Sequence, residues 1–296
     1  MQRTPLIESE VAGTRIWLKC ECLQTGGAFK LRGASNRLLL LSQEERARGV
    51  VAFSSGNHAR GVAIAARRLG IRAIIVMPSD APKVKVDGTR EEGAEIRFYD
   101  RRTENREEIA ARVAGETGAT VVPSFDDPAI VAGQGTAGLE IIEQLGREPS
   151  QIIIPCGGGG LAAGIALSVP AAQIAIVEPA GWDDMGRSLE LGTIVPVLPD
   201  APETFCDALQ TPRVSPITFG ILQDAGAQAR SVTDAQAADA VRFAWRTHGL
   251  VVEPGGAVAL AALLSGKIVP QEDSIVVLSG GNIDPELHVR ILGAEA

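Results

Sequence analysis

The sequence predicts an α/β protein of two domains, and three observations carry that prediction. At 296 residues the chain exceeds one ordinary core. From Gly49 onward, short apolar runs alternate with amphipathic stretches, the pattern of parallel-rich sheets covered by helices. Several of those runs end in serine- or glycine-rich turns just where a helix should begin.

Composition narrows the function classes. Nearly half the residues are apolar and few are aromatic, which suits a core packed from Ala, Val, Ile and Leu. A net charge of −8 argues against nucleic acid or an anionic membrane as the partner. No apolar run is long enough to span a bilayer, and the polar start Met1-Gln2-Arg3-Thr4 does not read as a signal peptide. Cys20, Cys22, Cys156 and Cys206 lack paired C-x-x-C spacing and read as reduced, mostly buried thiols of a cytoplasmic protein.

Taken in order, Ile16 to Leu23 has the content of a buried strand and leads into Gly26-Gly27-Ala28-Phe29-Lys30-Leu31-Arg32-Gly33, a strand-to-helix turn. Val50 to Phe53 is a strand; the turn Ser54-Ser55-Gly56-Asn57-His58 follows, then a helix with Val62, Ala65, Ala66 and Leu69 on one face, stopped by Gly70. The unit repeats with strand 73–77, a charged helix from about 82 to 92 and strand 95–98, then a polar helix around 103–116 and strand 120–122. These elements read as a small α/β domain, 49–125, inserted in a larger one formed by 1–48 and 126–296. The larger domain resumes with helix 129–145 and strand 151–155. Gly157-Gly158-Gly159-Gly160, helix 161–167 and strand 173–177 follow. Residues 180–215, rich in Pro, Gly and Asp, read as a long functional loop. Helices near 216–226, 234–248 and 255–264 precede the last strand, 274–278, which opens into Ser279-Gly280-Gly281-Asn282.

Three of these turns can carry chemistry. Lys30 sits among small residues and a phenylalanine, and an amine in such a lined pocket loses hydration, drops in pKa and can attack a carbonyl. An arbitrary lysine near a turn is more often on the surface, so the other parts must decide. Four glycines between a buried strand and a helix let backbone N–H groups converge on an anion, where the helix dipole helps. Neither the Walker spacing nor G-x-G-x-x-G is present, so a phosphorylated cofactor outside the nucleotide folds is expected. Ser54 to His58 can simply cap a helix, or bind a carboxylate through hydroxyls, the Asn57 amide and helix N–H groups. Lys30, Asn57, the glycine run and Ser279 all lie at or near strand ends.

These motifs, in this order, resemble the fold-type II pyridoxal-phosphate enzymes, whose fold is the tryptophan synthase β-like one, and within them the serine/threonine dehydratase and serine racemase family. Phe29 to Ala34 resembles the Schiff-base motif, Ser54 to His58 the substrate-carboxylate loop, Gly157 to Gly160 with Leu161 the phosphate loop, and Ser279 to Asn282 the segment whose serine meets the pyridine nitrogen. Ala132-Gly133-Gln134-Gly135-Thr136 and Glu253-Pro254 are further family-like pieces. Two departures stand out: Gly26-Gly27-Ala28 replaces the usual Thr-Gly-Ser, removing two hydroxyls, and Cys206-Asp207-Ala208 replaces Ala-Asp-Gly.

The resemblance implies a cofactor, pyridoxal 5′-phosphate, in the interdomain cleft. It implies Lys30 as Schiff-base lysine and Cα base, with Phe29 against the ring and Asn57 on the phenolic oxygen. Ser54, Ser55, Gly56, Asn57 and His58 would bind substrate, and Ser55 would be the second acid–base group of racemase-like members. Glu178, the Trp182 carbonyl and Asp184 match positions that bind a divalent ion in those members, and hard oxygen ligands suit Mg²⁺ or Ca²⁺; by spacing alone they would read as an acidic loop. The implied activity is an ammonia-lyase (dehydratase) acting on a β-hydroxy-α-amino acid such as L-threonine or L-serine. Alternatives are 3-hydroxyaspartate dehydratase, amino-acid racemase, or a non-catalytic module for a phosphorylated ligand. A homodimer with a small amino-acid substrate is expected.

Overall fold

The computed structural model describes residues 1–54, 56–81 and 83–293, and of Val84 the backbone alone. In chain order the elements are β1 (Leu6–Val11), β2 (Thr14–Lys19), α1 (Lys30–Leu39), α2 (Gln43–Arg48), β3 (Val50–Phe53), α3 (Asn57–Leu69), β4 (Ala73–Pro78) and α4 (Lys83–Glu91). Next come β5 (Glu95–Tyr99), α5 (Arg106–Thr117), β6 (Thr120–Val121), α6 (Pro128–Leu145), β7 (Gln151–Pro155), α7 (Gly160–Ser168) and β8 (Gln173–Pro179). The chain ends with α8 (Asp184–Leu191), α9 (Pro216–Asp224), β9 (Gln228–Val232), α10 (Asp234–His248), α11 (Pro254–Leu264), β10 (Ser274–Val277) and α12 (Pro285–Gly293).

Two compact units divide the chain: one is Lys30–Gly133 with Met1, the other Gln2–Phe29 with everything from Gln134 on. The smaller unit is therefore wider than the 49–125 drawn from sequence, because α1 packs against α3 and travels with it. Its sheet runs β5-β4-β3-β6, all parallel, with Val50, Ala52, Ile75 and Met77 buried against α1 and α3, and Val51, Ile74 and Val76 buried against α5. The helix expected from about 82 forms from Lys83; Pro82 lies outside the described residues.

The larger unit holds a sheet of order β1-β2-β10-β7-β8-β9. Only β1 is antiparallel; it pairs with β2 through a two-residue turn in which Ala12 and Gly13 take φ of 53° and 75°, the positive values that match strand twist. The strand read as 16–23 ends at Lys19, and Glu21–Leu23 winds into a 3₁₀ turn. Buried polar contacts surround that end of the strand. Lys19 Nζ donates to Thr4 O at 2.9 Å, Glu140 Oε2 at 2.7 Å and Gln144 Oε1 at 2.9 Å, while Thr4 Oγ1 donates to Glu21 Oε1 at 2.5 Å. A core of Leu18, Ile153, Val177, Val241, Val258 and Val276 fills this unit. All four cysteines are free and buried. No helix among the described residues is long and apolar enough to cross a membrane.

Sequence reading missed β1, β9, α2, α12 and α8, the last lying inside the stretch taken for a loop. The start of α8 is fixed from a distance: Glu178 on β8 accepts from Met185 N at 3.0 Å and Gly186 N at 2.8 Å. A cap supplied by another element leaves no local signature.

One close approach matters for the start of α1. A Cβ on Gly61 of α3 would stand 3.1 Å from both Lys30 C and Leu31 N, tighter than ordinary packing allows. Gly88, in α4, has open space around it. Glycine within a helix costs roughly 0.5–1 kcal/mol relative to alanine. Gly88→Ala should therefore raise the unfolding free energy by about that amount, whereas Gly61→Ala should gain nothing or lose about 1 kcal/mol through overpacking. Urea unfolding of the two variants checks this, and equal gains would remove the close-approach argument.

Candidate active site

In the smaller unit, Lys30 opens α1 and its Nζ donates to the Ser124 carbonyl at 2.9 Å. Although the residue as a whole keeps some exposure, the amine itself is enclosed, and burial lowers its pKa from 10.5 to about 8. At pH 7 an amine with that pKa is about a tenth neutral, against a few parts in ten thousand at the ordinary value. Burial is the cause of that shift.

The turn 54–58 follows the carboxyl end of β3 and runs into α3. Ser54 Oγ accepts from Gly56 N at 3.1 Å, and Gly56 is the N-cap of α3, so no side chain caps the helix from that position. His58, 3% exposed, has Nε2 on the Val122 carbonyl at 2.9 Å, and burial, then the nearby Lys30 charge, drop its pKa to about 3. Asn57, Gly56 and His58 share this first turn. Ser55 lies outside the described residues.

In the larger unit the remaining candidates stand along one sheet edge. β2, β10, β7 and β8 are neighbours and parallel, so the segments leaving their carboxyl ends emerge together. From β2 the chain reaches Phe29; from β10, Ser279. Phe29 N donates to Ser279 O at 3.1 Å, Gly281 N to Gly27 O at 2.8 Å, and Ala28 and Gly280 form a bridge. Asn282 Nδ2 donates to Gly26 O at 2.8 Å, and the Asn282 side chain fills the space a Cβ on Gly27 would need. That contact gives a steric reason for Gly27.

The glycine run leaves β7 and enters α7. Gly159 is the N-cap at φ 83° and forms no side-chain cap. A Cβ there would meet Met185 Cε at 2.7 Å and Thr218 Cβ at 3.0 Å. Both the conformation and the crowding demand glycine, and the first turn of α7 is left with N–H groups suited to an anion. Leu161 is buried in that turn. The cradle fits the phosphate of pyridoxal phosphate, with Ser279 one strand away.

From β8 come Glu178, wholly buried, and Trp182 and Asp184. Burial, then the neighbouring Asp184, push Glu178 well above the usual carboxylate range, against the pull of its bonds to α8. Asp184 is pushed up to about 6, mainly by burial, and neither of its carboxylate oxygens forms a well-shaped hydrogen bond. A cavity of about 420 Å³ whose lining includes Glu178, Asp183, Gly186, Arg187, Glu190 and Arg230 adjoins Glu178. Among the described residues no group of three or more His, Cys, Asp or Glu side chains is placed to hold a metal; a site here would draw on two carboxylates and a backbone carbonyl.

Two contributors escaped sequence reading. Ser124 acts through its carbonyl, which no side-chain motif reveals; Gly61 had the weak signal of a glycine within an alanine-rich helix.

Comparison with known proteins gives the arrangement a context. Residues 1–280 match the model of the family described as "Pyridoxal-phosphate dependent enzyme". The chain is 41% identical to an L-threo-3-hydroxyaspartate ammonia-lyase of Pseudomonas sp, over 98% of this chain and 93% of that one. It is 39% identical to an L-threonine ammonia-lyase of Thermotoga maritima, over 96% and 71% respectively. The structure of maize serine racemase superposes with a TM-score of 0.92 at 37% identity, covering 98% of this chain and 91% of that one. With a family match across almost its whole length and an enclosed lysine and glycine cradle to match, the chain belongs to the pyridoxal-phosphate dependent enzymes of fold type II.

Proposed function

We propose that the chain is an ammonia-lyase that eliminates water across the Cα–Cβ bond of a β-hydroxy-α-amino acid; the released enamine takes up a water again and hydrolyses to a 2-oxo acid and ammonia. The observation that carries this reading is the enclosed Lys30 amine at the start of α1, 2.9 Å from the Ser124 carbonyl, with its pKa lowered by burial. When bound, pyridoxal phosphate supplies an electron sink conjugated to the substrate nitrogen. Lys30 Nζ would hold the cofactor and, once displaced by the substrate amine, accept the Cα proton; its enclosure keeps water from competing. The N–H groups at Gly157–Gly160 would hold the phosphate, Phe29 would pack on the ring and Asn57 would bond the phenolic oxygen. Ser279 would offer the ring nitrogen a neutral hydroxyl, which would leave that nitrogen largely unprotonated. Residues 54–58 would orient the substrate carboxylate at the start of α3.

Among substrates, 3-hydroxyaspartate stands first. The identity to the Pseudomonas sp enzyme supports it, and Gly26-Gly27-Ala28 lacks the hydroxyls expected of serine- or threonine-selective relatives. Racemisation is the second reading, supported by the likeness to maize serine racemase. It needs an acid–base group on each face of Cα, Lys30 on one and Ser55 on the other.

Lys30→Ala should abolish turnover, a loss of roughly 10³-fold or more, together with the visible absorbance of bound cofactor. Normal activity with unchanged absorbance would sink the assignment. Ser55→Ala should cut racemisation steeply and elimination far less, measured on one preparation by chiral chromatography and 2-oxo acid release. Equal losses would mean that Ser55 serves substrate binding.

We further infer that Glu178, the Trp182 carbonyl and Asp184 hold Mg²⁺ or Ca²⁺, because a cation would relieve two buried acids. The sign is definite: the folded pKa of Asp184, about 6, exceeds its ordinary 3.8, so metal-free protein should lose stability as pH rises through about 4 to 6. Divalent ion should raise the melting temperature most above that window, and Glu178→Gln should blunt the rise. Identical melting curves with ion and with chelator at pH 7.5 would remove the metal.

A further inference from the structure

The stretch 180–215, which reads from sequence as a functional loop, meets the glycine run near its end. A Cβ on Gly157 would stand 3.1 Å from Thr211 Oγ1 and 3.2 Å from Leu209 Cα, so residues 209–211 lie against the run. That approach is anchored on both sides. Residues Asp207–Leu209 wind into a 3₁₀ turn, with Leu209 N donating to Cys206 O at 2.9 Å and the Leu209 side chain buried against Gly255. Thr211 N donates to Leu209 O at 2.9 Å, and the carbonyl of the next residue, Pro212, accepts from Val197 N at 3.0 Å.

Two threonine hydroxyls border the run, and they differ in what holds them. Thr218 Oγ1 would be 3.2 Å from a Cβ on Gly159, but Thr218 is wholly buried and its hydroxyl is engaged at the start of α9, by Ser215 O at 3.3 Å and Ser215 Oγ at 3.1 Å. Thr211 is half-buried, and its hydroxyl has no hydrogen-bond partner among the described residues. A threonine hydroxyl carries one O–H donor and turns to suit its acceptor. The N–H groups at the start of α7 are fixed in direction by the helix. A hydroxyl beside them adds a donor that can follow the ligand. A phosphate dianion gains most from it, because a hydrogen bond to an ionised acceptor is roughly twice as strong as one to a neutral group.

We propose that Thr211 is a further cofactor-binding residue, whose side-chain hydroxyl donates to the phosphate ester held at Gly157–Gly160. This rests on the reading of those glycines as the phosphate cradle. It gives the anchored 206–212 segment a task, and it gives Gly157 a reason to lack a side chain, since a Cβ there would crowd the hydroxyl.

The test is the affinity of the cofactor-free full chain for pyridoxal phosphate and for pyridoxal, which lacks the phosphate, both by equilibrium dialysis. Thr211→Val keeps the shape and removes the donor; it should weaken pyridoxal phosphate about tenfold and leave pyridoxal within about twofold. Thr211→Ser keeps the donor and should stay within about threefold of the parent for both ligands. The phosphorus NMR line of the bound cofactor should move in Thr211→Val and hold its place in Thr211→Ser. Unchanged affinity for pyridoxal phosphate in Thr211→Val overturns the proposal. So does an equal loss for both ligands, which would mean that the residue only shapes the loop. Should Thr211→Val not fold, Thr211→Ala and Thr211→Ser carry the comparison, and an equal preference for the phosphorylated ligand in those two overturns it. Gly159→Ala separates the proposal from the reading beneath it. If Gly159→Ala loses affinity and Thr211→Val keeps it, the cradle stands and Thr211 falls; if both bind pyridoxal phosphate normally, the cradle reading falls as well.

Discussion

The parallel pairing of β2, β10, β7 and β8 is the constraint on which the larger unit's functional edge depends. Parallel strands send all their carboxyl ends one way, so Phe29, Ser279, the glycine run and the Glu178–Asp184 segment leave the sheet on a single edge. Reversing any one strand would carry its loop to the opposite edge, a strand length away. The backbone bonds between 27–29 and 279–281 then fix the first two segments to each other without using side chains. The side chains stay available for chemistry.

Missing side chains do comparable work elsewhere. Gly159 gives the start of α7 a conformation and a clearance that no other residue meets, and Gly61 lets α3 lie against the backbone at Lys30. Both place helix backbone close to a functional group. In the first case the helix begins without a side-chain cap; in the second the contact limits where the lysine stem can begin. Neither N-cap residue, Gly56 of α3 or Gly159 of α7, has a side chain to cap its helix.

Much of this was legible in the sequence for reasons that can be named. Val50–Phe53, Ala73–Met77 and Gln151–Pro155 are buried on both faces, so their apolar runs are continuous and bounded by turn residues. The glycine run was legible because several glycines in a row exceed what a simple turn needs. β1 is a short edge strand with Glu8, Ser9 and Glu10 at its centre, β9 is a short edge strand with polar residues, and α8 is capped by Glu178 from another strand. None of the three has a strong local pattern. Ser124 and Val122 act through carbonyls, and a carbonyl is common to every residue; only the fold says which of them meet Lys30 and His58.

The four buried cysteines have a consequence of a different kind. All lie in the larger unit: Cys20 and Cys22 beside β2, Cys156 after β7, and Cys206 in the segment before α9. Burial raises the thiols of Cys156 and Cys206, the latter to about 12, and Cys22 is raised as well, first by a hydrogen bond between its thiol and that of Cys20. Such thiols are poor nucleophiles and are shielded from reagents, so alkylation must wait for local or global opening. The chain thereby carries its own clock for breathing motions of one unit: thiol labelling reads the opening of the larger unit, while the smaller unit, without a cysteine, stays silent to the same reagent.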